Sequence, residues 1–469
     1  MIFDKLYNFR NRPAFISNGT YIPYSSIIDK GSLFSKYITN KGLCLVVTKN
    51  HQDVVISYLS FLEHKIPVLL LNNTLNHEHI INVIKSYKPA YMVLEKSMVL
   101  SGIYKDYISN VLMELDEFVF VATSCNIDYN INDNLSLLLT TSGTTGSQKF
   151  VRLSKDNIYA NTESISTYLP INTDDTTITT LPLSYSYGLS IINTHLFSGA
   201  SILLYDGSVI QKDFWLFLKE YNITSFGGVP YTYEMLERLR FSSMDLPNLR
   251  YITQAGGRLL QKQISYYKDM YINKQLPFFK MYGQTEATAR ISYLPYEDFA
   301  KKEESIGKPI PNGEMFIYDN NKNKLKANKE GELIYKGKNV FLGYASSCYD
   351  LYKDDENNNI LHTGDLGYYD NDGYFYITGR KKRFVKIFGN RINLEEVENI
   401  LNSHGFSCAC AGHDDKMIIY IENSLVKNNI LDTLKKVLDI HPSGYSINVV
   451  DKIPRNNSGK IDYHLLESL

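Results

Sequence analysis

Short β-rich apolar runs alternate with helically spaced patterns through most of this 469-residue chain. CLVVT (44–48), TITTLPL (177–183), SILLY (201–205) and ITSFGG (223–228) read as strands. DFWLFLKEYN (213–222) and YEMLERLR (233–240) carry the apolar spacing of helices. Such alternation predicts an α/β fold with a largely parallel sheet. The length allows two or three domains. Hydrophobic residues at 44% and charged residues at 21% are those of a globular chain with a sizeable core.

From about Ser305 the texture changes. GELIYKGKNVFLGY and LGYYDNDGYFYITGR read as antiparallel β-structure, with Asn371-Asp372-Gly373 as the turn between two Tyr-rich strands. In RINLEEVENILNSHG, Asn393 reads as a helix N-cap with Glu396 three residues on, a capping box. KMIIYIEN and ILDTLKKVLDI follow as strand and helix. The expected architecture is a large N-terminal domain, residues 1–381, of parallel or mixed sheets flanked by helices plus a β-rich subdomain. A small mobile α+β domain, 382–469, follows it.

The net charge of −1, from 49 basic and 50 acidic residues, gives no field that would recruit nucleic acid or an anionic membrane. No apolar run approaches the ~18 residues a membrane span needs, and MIFDKLYNFRNRPAF lacks the apolar stretch of a signal peptide. Five cysteines are few, and Cys408-x-Cys410 alone is a poor metal site. The reading is a reduced, cytoplasmic protein without structural metal.

TSGTTGSQK (141–149) packs two glycines, five hydroxyls and a lysine directly after the apolar run Leu137 to Leu139. Gly143 and Gly146 let backbone approach a ligand closely. Thr141, Ser142, Thr144 and Thr145 add hydroxyl donors, and Lys149 adds a compact charge. The loop can wrap polyphosphate oxygens or serve as a flexible surface turn. It lacks the spacing of a Walker P-loop, as does Gly459-Lys460, where Pro454 occupies the first glycine position.

This loop resembles the phosphate loop of the adenylate-forming (AMP-binding) superfamily: acyl- and aryl-CoA synthetases, luciferases and peptide-synthetase adenylation domains. The resemblance continues in order through LPLSYSYGL (181–189), QAGGRLL (254–260), MYGQTEAT (281–288), SIGKPIPNGE (305–314) and GELIYKG (331–337). HTGDLGYYDNDGYFYITGR (362–380), KIFGNRINLEEVE (386–398) and PRNNSGKID (454–462) complete it.

The resemblance implies that Gly256, Gly257, Tyr282, Gly283 and Gln284 form the adenine side. Thr285 contacts the α-phosphate and Glu286 holds Mg²⁺. Asp365 and Arg380 read the ribose, Lys382 is the hinge, and Lys460 is the catalytic lysine, assisted by Lys386. Arg380-Lys381-Lys382-Arg383 could also be a basic patch, but it overlies the hinge, and the nucleic-acid reading is set aside. Four positions depart from the pattern: Gln148, Phe150, Tyr185 and Asn456.

The implied activity is ATP-dependent activation of a carboxylic acid as acyl-adenylate, with release of pyrophosphate and transfer of the acyl group to a thiol. CoA is the first choice of thiol and the phosphopantetheine of an acyl carrier protein the second. An oxygen or nitrogen acceptor, or a nucleotide-binding scaffold without catalysis, are the alternatives. SYSYGLS offers no carboxylate for an α-ammonium, which argues against an amino acid. Tyr185, Tyr187, Val229 and Pro230, on an extended segment in the case of the two tyrosines, are expected to wall a pocket for a modest acyl or aryl group.

Overall fold

The computed structural model describes residues 5–17, 19–39, 41–140, 149–381, 383–387, 390–413, 416–437, 441–456 and 459–468. Its elements confirm the alternating strand–helix reading. A nine-stranded sheet is built around five parallel strands: Ser201–Leu204, Thr176–Thr179, Ser225–Gly228, Tyr251–Gln254 and Phe278–Tyr282, in that spatial order. After Thr176–Thr179 the chain moves first to one side and then, from Ser225 on, to the other. Crevices at the carboxyl ends of strands beside such a reversal are where open α/β sheets bind ligands. An eight-stranded mixed sheet contains the Cys44–Thr48 strand, parallel to both Val68–Asn72 and Tyr91–Glu95.

The run TITTLPL is a strand only as far as Thr179. Tyr185 then closes a turn, its N–H donating to Pro182 O at 3.0 Å. SYSYG is not extended: Tyr185 is the N-cap of the Ser186–Ser198 helix. This helix is buried almost throughout, so tertiary packing overrides the β preference of its tyrosines. The helix read in YEMLERLR begins earlier, at Pro230, where a missing N–H costs nothing.

The β-rich part is a four-stranded antiparallel sheet containing Gly331–Lys336, Ile360–Tyr369 and Phe375–Arg380. The expected turn joins the last two. Asp370 Oδ1 accepts from the N–H groups of Asp372 and Tyr374, both at 3.0 Å, and Gly373 sits at φ +79°.

Beyond these, the hairpin Phe384–Ile387 and Asn390–Asn393 leads into the Leu394–Ser403 helix and a three-stranded sheet. This region has its own core, with Val385, Ile387, Val397, Leu401, Ile419 and Leu434 at its centre. Asn393 directly precedes the helix, but the capping side chains lie outside the described residues. All five cysteines are free. No helix among the described residues is long and apolar enough to cross a membrane.

Candidate active site

The loops leaving four parallel strands, after Thr179, Gly228, Gln254 and Tyr282, meet at one end of the nine-stranded sheet. Two glycines there are steric requirements. A Cβ on Gly283 would stand 1.8 Å from Ala289 O, and one on Gly256, at φ +88°, would stand 2.5 Å from the Tyr185 hydroxyl.

Asp365 is the centre of a polar network. It is 2% exposed and pairs across the ladder with Arg380, whose Nε lies 2.9 Å from Oδ1. Oδ2 accepts from Gln284 Nε2 at 2.8 Å and from the Tyr282 hydroxyl. Gln284 also donates to Thr363 O at 3.0 Å. Burial, then the Asp365 charge, push the Tyr282 hydroxyl far up, so it stays protonated and donates. A carboxylate has about four acceptor sites, so capacity remains for a hydroxylated ligand.

Thr285 begins a short 3-10 turn, Thr285–Ala287, and its Oγ1 lies 3.3 Å from Ser186 Oγ. Glu286 Oε1 accepts from the Tyr344 hydroxyl at 2.8 Å. Lys149 Nζ stands 3.7 Å from the centre of that same ring. Tyr344 thus ties the lysine after the Gly-rich loop to the expected metal carboxylate.

Lys460 arrives from the C-terminal region on a tight turn. Asn456 N–H donates to Lys460 O at 2.8 Å, and Lys460 N–H donates to Asn456 Oδ1 at 3.1 Å. Gly459 packs so closely that a Cβ would come within 2.9 Å of Val229 Cγ2. The Arg455 guanidinium lies 5.7 Å from the Tyr231 ring centre. Lys460 Nζ is thereby held 5.9 Å from the Tyr185 ring. Burial and the Arg380 charge lower its pKa to about 8, opposed by Glu286 and Asp365. Lys460 thus feels the charges of Glu286 and of the Asp365–Arg380 pair.

The acid-pocket residues divide. Val229 and Tyr187 are 4% and 2% exposed, whereas Tyr185 and Pro230 are half-buried. The Tyr187 hydroxyl is bound to Thr253 O and Oγ1, both at 2.8 Å. Gly257 lies against Pro230. Thr141, Ser142, Gly143, Thr144, Thr145 and Gly146 lie outside the described residues, as do Gln148, Lys382 and the Lys386 side chain. The described residues of the basic run do not form a free patch. Arg380 pairs with Asp365, Lys381 with Glu332 at 2.9 Å, and Arg383 with Glu398 at 2.8 Å.

The model of a family described as AMP-binding enzyme matches residues 3–345. The chain belongs to the AMP-binding enzyme family. The expected α/β adenylate-forming fold and enzyme class hold. This AMP-binding enzyme is 28% identical over 374 residues to an oxalate–CoA ligase of Arabidopsis thaliana, covering 76% of the chain and 72% of that relative. It is 25% identical over 474 residues to a 2-succinylbenzoate–CoA ligase of Staphylococcus epidermidis, covering 98% and 95%. An o-succinylbenzoate CoA synthetase from Bacillus subtilis, solved with its acyl-adenylate intermediate, matches at a TM-score of 0.81 and 21% identity. The match covers 99% of the enzyme and 97% of that structure, and it is one of fold.

Tyr344 carries no charge or spacing signal, and only the fold brings it to Glu286. Ser186 lies within LPLSYSYGL, but nothing in that motif marks it as the neighbour of Thr285.

Proposed function

We propose that this AMP-binding enzyme joins a carboxylic acid to a thiol through an acyl-adenylate. An oxygen of the acid attacks the α-phosphorus of ATP, the bond to the β-phosphate oxygen breaks, and pyrophosphate leaves. The thiolate then attacks the acyl carbon, and AMP leaves. The convergence of Lys460 with Glu286, Asp365 and Arg380 at the strand ends carries this reading. A cation there would stabilise the charge that develops on the phosphoryl oxygens. Both named relatives are CoA ligases, which favours CoA as the thiol over a carrier-protein phosphopantetheine. Free cysteines suit a reducing compartment, the cytoplasm.

In this reading the 141–146 loop and Lys149 cradle the phosphates, and Thr285 donates to the α-phosphate. Tyr282, Gln284, Gly256 and Gly257 border the adenine, and Asp365 with Arg380 binds the ribose. Among the described residues no cluster of three or more His, Cys, Asp or Glu could hold a metal. Mg²⁺ would therefore be held by Glu286 together with nucleotide phosphates, a common arrangement for this ion. Bound there, it neutralises charge on the pyrophosphate. Residues 382–469 form the small domain, and its rotation about Lys382 separates the two half-reactions, with Lys386 acting in one of them.

The test is pyrophosphate release from ATP over a panel of carboxylic acids, with and without CoA. Acid-dependent pyrophosphate and AMP, increased by CoA, are expected. ADP formation, or nucleotide hydrolysis indifferent to acid, contradicts the reading.

Two further outcomes follow. Lys460 carries its charge below about pH 8 and loses it as pH rises through that value. The adenylation kcat/KM, which reports the free enzyme, should therefore fall above about pH 8. Bound phosphates favour the cation, so the corresponding limb of kcat should lie at higher pH. A profile flat to pH 10, or a kcat limb below that of kcat/KM, contradicts the role.

Asp365→Asn keeps the side-chain volume but removes the charge that faces Arg380. ATP affinity should weaken by about 1.5–3 kcal/mol, as for hydrogen bonds to charged groups. Discrimination between ATP and 2′-deoxy-ATP should shrink with it. Unchanged discrimination would show that Asp365 does not read the ribose.

A further inference from the structure

Among the described residues two arginines, Arg152 and Arg290, are buried, and their surroundings differ. Arg152 is fully buried and fully satisfied. Its Nη2 lies 2.7 Å from Glu356 Oε2, and it also donates to the carbonyls of Tyr344, Leu342, Lys353 and Asp354. That is how a structural arginine is accommodated, with a carboxylate and carbonyls for its five N–H donors.

Arg290 is 2% exposed, and among the described residues no carboxylate lies within 4.0 Å of it. Its polar contacts are to neutral groups, the Tyr168 hydroxyl among them. Nε reaches Met281 Sδ at 3.3 Å, Nη1 reaches Ala289 O at 3.4 Å, and Nη2 reaches Ser190 Oγ at 3.5 Å. The guanidinium lies over the Tyr187 ring, 4.1 Å from its centre. A ring face attracts a cation but does not neutralise it or fill its hydrogen-bonding fork. A desolvated guanidinium left in this state is complementary to an anion, and its planar fork matches a carboxylate.

Its surroundings suit such a ligand. Arg290 lines a cavity of about 20 Å³ with Tyr187, Ser190, Ser225, Tyr251 and His195. That space is close to what a single water needs, so only a compact group fits beside the arginine. The buried hydroxyls of Ser225 and Tyr251 line it as neighbours of one another. His195, 4% exposed, donates through Nδ1 to Ile191 O at 2.8 Å, and burial lowers its pKa to about 4. It therefore stays neutral and leaves Arg290 as the cavity's cation.

The cavity is also next to the chemistry. Tyr185 is the neighbour shared by the two cations. Lys460 Nζ faces its ring, and although burial pushes its hydroxyl up, the Arg290 charge pulls it back. The Tyr185 and Tyr187 rings meet edge to face, 6.3 Å apart, with Arg290 on the far one.

We propose that Arg290 is the receptor for a second carboxylate on the acid, so that the substrate class of this enzyme is the dicarboxylic acids. One carboxylate lies at Lys460 and Thr285 and is activated. The other is held by the Arg290 fork and stays free in the product. This inference rests on the ligase reading and specifies its substrate.

The test compares succinate, glutarate and phthalate, each with its monoamide, by pyrophosphate release with ATP and Mg²⁺. The amides keep the size and one reactive carboxylate but lack the second charge. Wild-type kcat/KM should favour the best diacid over its monoamide by about 100-fold or more, because the amide leaves the buried fork unmatched. Arg290→Met should bring the ratio near one or invert it, with ATP affinity unchanged. Its melting temperature should equal or exceed that of the wild type, since the side chain leaves no carboxylate behind, whereas Arg152→Met should melt lower. A wild-type preference for the monoamides overturns the proposal, and so does an Arg290→Met ratio equal to wild type. If Arg290→Met fails to fold, the wild-type ratio alone decides, and a ratio near one overturns the proposal. Absence of release with every acid of the wider panel would instead sink the ligase reading.

Discussion

Lys460→Ala is expected to slow acyl-adenylate formation by about 10²–10³-fold, the usual loss when one positioned stabiliser of a charged transition state is removed. The same variant should convert pre-formed acyl-adenylate to thioester at a rate close to wild type. The reason is geometric. Gly459 seats the Lys460 turn against Val229, and Arg455 lies over Tyr231, so the lysine belongs to this docked arrangement. Rotation of 382–469 for the thiol step would carry it away. Nothing in the second half-reaction then depends on its charge. Single-turnover kinetics on each half-reaction make the comparison. Equal losses in both would contradict the division of labour.

Tyr187→Ala should destabilise the enzyme by about 3–5 kcal/mol, as truncation of a large buried aromatic does. It is 2% exposed, its hydroxyl is bound to Thr253, and Arg290 lies over its ring face. Tyr185→Ala should cost much less stability and instead change which acids are accepted. Its half-buried ring faces Lys460 Nζ and abuts Gly256. Thermal melts with the acid panel separate the two. Equal melting losses, with acid preference unchanged in Tyr185→Ala, would place both tyrosines in the core.

That pair also shows where sequence reading stops. Tyr-Ser-Tyr-Gly has the composition of a strand, and two tyrosines two apart on a strand share a face. The chain instead turns at Pro182 and enters a helix, which puts one ring at the mouth of the site and the other beneath it. Local preference is weak, and the burial of a whole helix decides the matter. The Asp370–Gly373 turn was legible because chain-local sterics fix it. Gly283 and Gly256 came from the family resemblance, and the groups that crowd them, Ala289 O and the Tyr185 hydroxyl, lie elsewhere in the chain.

The charged motif residues were singled out by the family resemblance, and of them Asp365 and Arg380 are paired. The network around them left no such mark. Tyr344 reaches Glu286 from a distant strand, and Gln284 joins Tyr282 to Asp365. Such contacts depend on which sheets are adjacent, which no local spacing encodes.

The central claim is that an acyl-adenylate is made and then handed to a thiol. Wild-type enzyme in molar excess over a dicarboxylate, with ATP and Mg²⁺, would be quenched and examined by mass spectrometry before and after addition of CoA. The account predicts acyl-AMP and pyrophosphate before CoA, and thioester with AMP after it. Thioester formed with ADP and phosphate, and no acyl-AMP at any time, would contradict it.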